Sequence, residues 1–225
     1  DVRIMALRCV PDGDERDKDI ALSIRYAVDN GAQIINMSFG KDYGKDKGMV
    51  DDAVKYAESK GVLIVHAAGN DGKDITVATN YPTPVYKAGD VATNWIEVGA
   101  LSWQTGKRSV ATFSNYSLTK VNVFAPGVDV LSCKSNGGYI SENGTSMAAP
   151  VCAGAATLLK MYFPELTPQQ IKTIIETTAD RSMAKKKVII PGTKKKKTKF
   201  RNLSTTGGMV DVYAAFVEAA RVTGK

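Results

Sequence analysis

An alternation of apolar runs with helical periods constrains the fold of this 225-residue chain more than any other feature. Apolar runs at residues 2–7, 33–38 and 62–65 have the length of buried strands. Between these runs, apolar residues recur at helical spacing over 20–28 and 50–57. This order predicts an α/β fold, in which a parallel sheet is covered by helices on both faces and joined by right-handed crossovers.

The rest of the chain continues with further strands and helices. We expect Asp17 or Asp19 to cap the first helix, because a side-chain carboxylate satisfies free N–H groups at a helix start. The other predicted elements are strands at 95–101, 122–125 and 128–133, and helices at 146–162, from Thr167 and from Asp211. Nothing in the composition marks a domain boundary, so the sequence predicts one domain over residues 1–225.

The segment Asn143-Gly144-Thr145-Ser146-Met147-Ala148-Ala149-Pro150 carries the strongest chemical signal. Gly144 permits a sharp turn, and Ser146 then stands where a helix begins. Pro150 follows within the first turns, where we expect its missing N–H to cost little. A hydroxyl at this place faces the partly positive end of the helix, which favours developing negative charge. We therefore predict that Ser146 is a nucleophile.

This segment resembles the active-serine motif of the subtilisin-like serine proteases, the subtilases. A second segment, His66-Ala67-Ala68-Gly69-Asn70-Asp71-Gly72, resembles the subtilase motif whose asparagine donates its side-chain amide to the oxyanion hole. Residues 207–215 also look like the closing stretch of subtilase domains, so the resemblance covers nearly the whole chain. It implies a three-layer fold with a mostly parallel sheet, serine endopeptidase activity, and catalytic roles for Ser146 and Asn70.

The general base of such an enzyme and the carboxylate that orients it have no counterpart in this sequence. A serine nucleophile needs both groups for efficient acyl transfer. Subtilases carry them upstream, in an Asp-Ser-Gly or Asp-Thr-Gly segment and a His-Gly-Thr-His segment, and neither occurs here. His66 is the only histidine of the chain. The chain alone is therefore expected to be inactive.

Three hypotheses account for the missing groups. In the first, the domain is truncated at its N-terminal side, and the aspartate and histidine belong to residues upstream of Asp1. In the second, the chain is a degenerate protease that keeps the fold as a non-catalytic interaction module. In the third, His66 is the base, although a lone histidine that ends an apolar run is more often a packed side chain. We favour the first, because the missing parts are contiguous and the remaining motifs are intact.

The resemblance also implies a substrate site. An extended peptide would bind beside the strand that ends at Gly40, by adding a further strand. One wall of the pocket for the side chain before the scissile bond would be Ser38-Phe39-Gly40, and the facing wall would be Ala67-Ala68-Gly69. Walls of small residues favour a roomy pocket for an apolar or aromatic side chain.

The net charge of +7 comes from one segment of the chain. Ten Lys or Arg residues and no acid lie between Arg181 and Arg201, so the remainder carries −3. A turn signal at Pro191-Gly192 divides the run and predicts an exposed basic hairpin at about 185–203. Solvated lysines are the simplest interpretation, and a surface for polyanions is the alternative. No aromatic residues alternate with the lysines, so we expect no nucleic-acid partner.

Other classes of function find less support. No apolar run reaches the roughly 18–20 residues of a membrane helix, and the three cysteines match no metal or disulfide framework. The sequence predicts neither a metal nor another cofactor. A nucleotide-binding domain would need a glycine-rich loop after the first strand, whereas residues 8–15 contain three acids and one glycine and would repel phosphate.

The family resemblance also implies a peptide or protein substrate and a location outside the cell or in the cell envelope. A sheet that lacks some of its strands would expose an unpaired edge, so self-association of the chain is a further expectation.

Overall fold

A four-stranded parallel sheet forms the centre of the computed structural model, which describes residues 1–10, 13 and 15–225. The strands lie in the order β1-β2-β3-β4, which is also their order along the chain. They are Ile34–Met37 (β1), Leu63–Ala67 (β2), Trp95–Leu101 (β3) and Val123–Pro126 (β4). The parallel arrangement confirms the prediction from the apolar runs: β2 and β3 are buried throughout, β4 is buried except at Pro126, and the edge strand β1 is partly exposed.

Helices cover the sheet on both sides and give the three layers that the sequence predicted. The described helices are Asp17–Asp29 (α1), Lys47–Ser59 (α2), Thr145–Tyr162 (α3), Pro168–Thr177 (α4) and Val212–Thr223 (α5). Along β2, Ile64 packs with α1 and α2, whereas Leu63 and Val65 pack with α3, α4 and α5. Successive strand residues point to opposite faces, so β2 joins two separate apolar cores. No helix in the described part of the chain is both long and apolar enough to cross a membrane.

Local signals explain three of the helix ends. Gly61, which follows α2, has φ +68°, a left-handed conformation that glycine adopts without steric cost. Thr167 and Gln170 form a capping box at the start of α4. Asp211 accepts the N–H of Ala214 and caps α5.

The cap predicted for α1 is wrong. Arg16 occupies the cap position without a side-chain hydrogen bond, and Asp17 is already helical. The Asp17 carboxylate instead accepts the N–H of Asp46 at 2.6 Å and pairs with Lys41 Nζ at 2.8 Å. Burial alone would raise the pKa of Asp17, but Lys41 and the Asp46 N–H lower it below its usual value. Asp17 therefore ties α1 to the connection between β1 and α2.

The strand predicted at residues 2–7 is also wrong. Residues 1–8 are exposed and belong to none of the described ladders. An apolar run becomes a strand only where a neighbour takes its backbone hydrogen bonds, and β1 is the edge of the described sheet. The stretch tested for a phosphate-binding loop, residues 8–15, includes Pro11, Asp12 and Asp14, which lie outside the described residues.

Two short antiparallel pairs lie outside the main sheet. Val130–Cys133 (β5) corresponds to the predicted strand at 128–133, and it pairs with Tyr139–Glu142 (β6), which the sequence analysis missed. Lys187–Ile189 (β7) and Lys197–Lys199 (β8) form the hairpin predicted from the basic run.

Candidate active site

The start of α3 lies against the segments that leave β1 and β2. Thr145 Oγ1 accepts the N–H of Gly69, which follows β2, at 3.0 Å. Ser146, the second residue of α3, meets Ser38, which follows β1. Ligand sites in parallel α/β sheets form outside the carboxyl ends of the strands, and this junction lies there.

Ser146 and Ser38 bind each other through two reciprocal hydrogen bonds. Ser146 Oγ donates to the Ser38 carbonyl at 2.9 Å, and Ser38 Oγ donates to the Ser146 carbonyl at 2.8 Å. The Ser146 carbonyl is free for the second bond because residue 150, which would donate its N–H to this carbonyl within the helix, is a proline and has no N–H. Pro150 therefore frees a carbonyl that anchors α3 to the end of β1, which the sequence analysis did not foresee.

Asn70 is held in one orientation by Thr145. Its Oδ1 accepts the Thr145 N–H at 2.8 Å and the Thr145 hydroxyl at 3.0 Å. A backbone N–H can only donate, so the atom that faces it is the carboxamide oxygen and Nδ2 points the other way. Asn70 is exposed, and within the described residues Nδ2 makes no hydrogen bond. Two N–H donors are thus fixed in direction beside the start of α3.

Ser146 and Asn70 line one cleft of about 450 Å³. The predicted wall residues Phe39, Gly40, Ala67 and Gly69 line the same cleft. Of the remaining two, Ser38 touches Ser146, as described above, and Ala68 is buried behind the cleft surface. The structure therefore brings together the two predicted catalytic residues and both predicted walls, although 75 positions separate Asn70 from Thr145.

Asn80 lies between the two walls, and the sequence analysis missed it. Its Nδ2 donates to the Ala67 carbonyl at 3.0 Å, and the residue lines the cleft. A methyl group on Gly40 would clash with the Asn80 carboxamide, and a methyl group on Gly69 would lie 3.2 Å from Cγ of Asn80. The small walls therefore enclose a polar side chain and leave less open space than their composition suggests.

Asn115 fixes the loop that carries Asn70, and it too was missed. Its Oδ1 accepts the N–H groups of Asp71 and Lys73 at 3.1 and 2.9 Å, while Nδ2 donates to the Ala68 carbonyl at 2.8 Å. The residue is almost completely buried. Three bonds from one buried carboxamide therefore hold the backbone on both sides of Asn70 in place.

His66 lies inside the protein and does not contact Ser146. Its ring is fully buried, with Nε2 donating to the Phe39 carbonyl at 2.9 Å and Nδ1 bonded to Glu97 Oε1 at 2.9 Å. Glu97 also accepts the indole N–H of Trp95 at 2.7 Å. With both nitrogens occupied, His66 cannot take a proton from Ser146, which contradicts the hypothesis that His66 is the base.

The described residues contain no group of His, Cys, Asp and Glu side chains suited to hold a metal ion. Besides the hydroxyl, amide and backbone groups described above, the cleft is lined by charged and titratable side chains, namely Glu15, Lys41, Asp42, Tyr43 and Asp71.

Comparison with known proteins identifies the family. The sequence profile of the subtilase family matches residues 1–207. The chain belongs to the subtilase family. A thermophilic serine proteinase of Bacillus sp. (strain AK1) is 39% identical over 180 residues, which make up 80% of this chain and 40% of that protein. Subtilisin DY of Bacillus licheniformis is 37% identical over 161 residues, covering 71% of this chain and 54% of that protein.

Solved structures support the same assignment. The prenylagaramide maturation protease PagA matches this subtilase with a TM-score of 0.72 at 28% identity, over 93% of this chain and 69% of that one. The protease domain of PatA matches with a TM-score of 0.71 at 27% identity, over 96% and 69% of the two chains. This subtilase thus shares the fold of subtilisin-like serine proteases and spans about half or less of the two bacterial proteinases above.

Proposed function

We propose that this subtilase is the serine-bearing part of a serine endopeptidase. Ser146 attacks the carbonyl carbon of a peptide bond, and the carbonyl oxygen becomes an anion held by the Ser146 N–H and Asn70 Nδ2. The observation that carries this proposal is the orientation of Asn70, whose Oδ1 is occupied by Thr145 so that Nδ2 remains for a ligand. Donors that are fixed in advance stabilise charge that appears only in the transition state.

The proton of Ser146 has to leave with a base, and in the described part of the chain the Ser146 hydroxyl is bonded to no side chain that could act as one. Ser146 Oγ donates to the Ser38 carbonyl, which is too weak a base to accept the proton. We propose that the histidine and its orienting aspartate belong to an upstream part of the same protein. The chain by itself then hydrolyses peptides no faster than its binding surfaces and oxyanion donors alone allow.

The substrate is proposed to bind in an extended conformation between the two walls, with its backbone beside residues 36–40. The side chain before the scissile bond would enter the space next to Asn80. The polar carboxamide of Asn80 favours a small or polar substrate side chain in this space, whereas the composition of the walls alone suggested a large aromatic one. Family resemblance further supports secretion or a cell-envelope location.

Kinetics of Asn70→Ala test the proposal in a longer product of the same gene that contains the upstream aspartate and histidine segments. The expected kcat falls by about 10²–10³, a range taken from subtilisin, with little change in KM. Asn30→Ala, at the end of α1, is the matched control and should leave both constants unchanged. Equal kinetics for the Asn70 variant and the wild type would refute the role of Asn70. Absence of hydrolysis by any product that contains this chain would favour the degenerate interaction module.

A further inference from the structure

The hairpin of β7 and β8 presents lysines on one face. In the ladder Lys187 lies opposite Lys199, and Ile189 lies opposite Lys197, so these residues share the outer face. Val188 points the other way and is fully buried. The remaining lysines, at 185, 186 and 194–196, are all exposed, and we call residues 185–199 the basic hairpin.

The positive charge of the basic hairpin is not compensated within the described residues. None of its lysines takes part in an ion pair or a side-chain hydrogen bond. Like charges directly opposite in a ladder destabilise the pairing, and Lys187 and Lys199 form such a pair. The 3-10 turn Gly106–Arg108 packs against β7 and adds exposed Lys107 and Arg108 to the same region. The arrangement lowers the stability of the free protein and suits an anionic ligand.

The basic hairpin is mounted rigidly. Val188 belongs to an apolar cluster with Phe124, Phe200 and Leu203, all of them buried. The rings of Phe124, in β4, and Phe200, directly after β8, lie 5.3 Å apart between centroids. The backbone of the basic hairpin is therefore packed against the central sheet, and it loses little conformational freedom when a ligand binds to the lysines.

The same hairpin touches the loop that carries Asn70. A methyl group on Gly72 would lie 2.5 Å from the backbone of Gly192, so the two glycines are in direct contact. Their N–H groups donate to adjacent carbonyls, Gly72 to Phe113 and Gly192 to Thr112. Gly72 is two residues from Asn70, so the backbone at residue 194 lies no more than about 20 Å from Asn70. An extended peptide covers that distance in about six residues.

We propose that the basic hairpin binds an acidic segment of the peptide substrate, near the bond held in the cleft. This inference rests on the proposed function. An extended chain with carboxylates at every second position matches Lys197 and Lys199, which stand two residues apart on the outer face. Lysines act here as point charges, whereas phosphate recognition favours the forked guanidinium of arginine. The outer face also offers no aromatic side chain for stacking a base, which argues against nucleic acid.

Fluorescence anisotropy on the 225-residue chain tests binding without any need for catalysis. The probe is a labelled peptide of about twelve residues in which threonine and glutamate alternate, and its neutral match has glutamine for glutamate. We expect the acidic peptide to bind and the neutral one not to bind. The affinity should fall steeply as salt rises from about 50 to 200 mM.

Two triple variants of equal charge locate the site. In the hairpin variant, Lys187, Lys197 and Lys199 become glutamine. In the control, the same change is made at Lys18, Lys87 and Lys134, which are exposed and make no side-chain hydrogen bond. We expect the hairpin variant to weaken binding about tenfold or more, and the control less than about threefold. Equal weakening by both variants, or equal binding of the neutral peptide, would overturn the proposal, as would tighter binding of single-stranded RNA.

A kinetic measurement separates the failure of this proposal from that of the proposed function. In the longer gene product, a substrate with glutamates up to about nine residues from the scissile bond, the reach of Lys187 and Lys197 by the same chain-length bound, should show a lower KM than its glutamine match, with similar kcat. The hairpin variant should remove that difference and keep hydrolysis of the neutral substrate. If hydrolysis is absent, the anisotropy result still decides whether the hairpin binds acidic chains. If hydrolysis occurs with equal KM values, the hairpin proposal fails and the enzyme assignment stands.

Discussion

The buried pair of His66 and Glu97 allows a quantitative test of the claim that His66 is structural. The perturbation is His66→Leu, Glu97→Leu and the two together. Each single change leaves the other polar group buried without its partner, which costs about 3–5 kcal/mol of unfolding free energy. The double change leaves no unpaired charge. It strands only the indole N–H of Trp95 and the carbonyl of Phe39, at about 1–3 kcal/mol each.

The double variant should therefore be more stable than the sum of the single losses indicates, by about 2 kcal/mol or more. The assay is urea unfolding followed by tryptophan fluorescence. Trp95 is buried beside the His66 ring, with centroids 5.1 Å apart, and Trp103→Phe removes the signal of the exposed second tryptophan. Losses below about 1 kcal/mol for the single variants, or strict additivity, would refute the reasoning. Either result would reopen a chemical role for His66.

Two further predictions concern the surroundings of the cleft. Gly72→Ala should lower the free energy of unfolding by about 2–5 kcal/mol, because Gly72 has a left-handed φ of +63° and the new methyl group would clash with Gly192. Gly61→Ala, at φ +68° with open space around it, should lower it by only about 1–2 kcal/mol in the same urea assay. Equal losses for the two variants would contradict the contact between Gly72 and Gly192. Asp17→Asn should lose about 1.5–3 kcal/mol at pH 7, where the carboxylate pairs with Lys41. Because the folded pKa of Asp17 lies below its usual value, that difference should persist down to about pH 4 and disappear as the pH falls through the folded pKa. A difference that stayed constant to about pH 2 would contradict the pairing.

The layered fold could be predicted because its signals are local. The period of apolar residues located α1, α2 and the strands between them, and β3 has the predicted bounds, Trp95–Leu101. The strand at 2–7 failed because a strand also depends on a neighbour, which the run itself does not reveal. The prediction that Asp17 caps α1 failed because its carboxylate accepts a hydrogen bond from the N–H of Asp46, outside the helix, and not from an N–H of α1.

The residues of the candidate site also differ in whether the sequence alone reveals them. Ser146 and Asn70 stand in motifs that can be recognised, and the structure places both on one cleft. Asn80 and Asn115 could not be predicted, because an isolated asparagine carries no signal and their partners lie 13 to 47 residues away. The bond between Ser38 and the carbonyl freed by Pro150 spans 108 residues and is visible only in three dimensions.

Mapping of a fluorophosphonate adduct tests the central claim most directly. The probe forms a phosphorus–oxygen bond with an activated serine and releases fluoride, and mass spectrometry then locates the modified peptide. In a gene product that supplies the upstream histidine and aspartate, we predict one adduct, on Ser146, and none in Ser146→Ala. An adduct on another serine, or labelling that survives Ser146→Ala, would contradict the account.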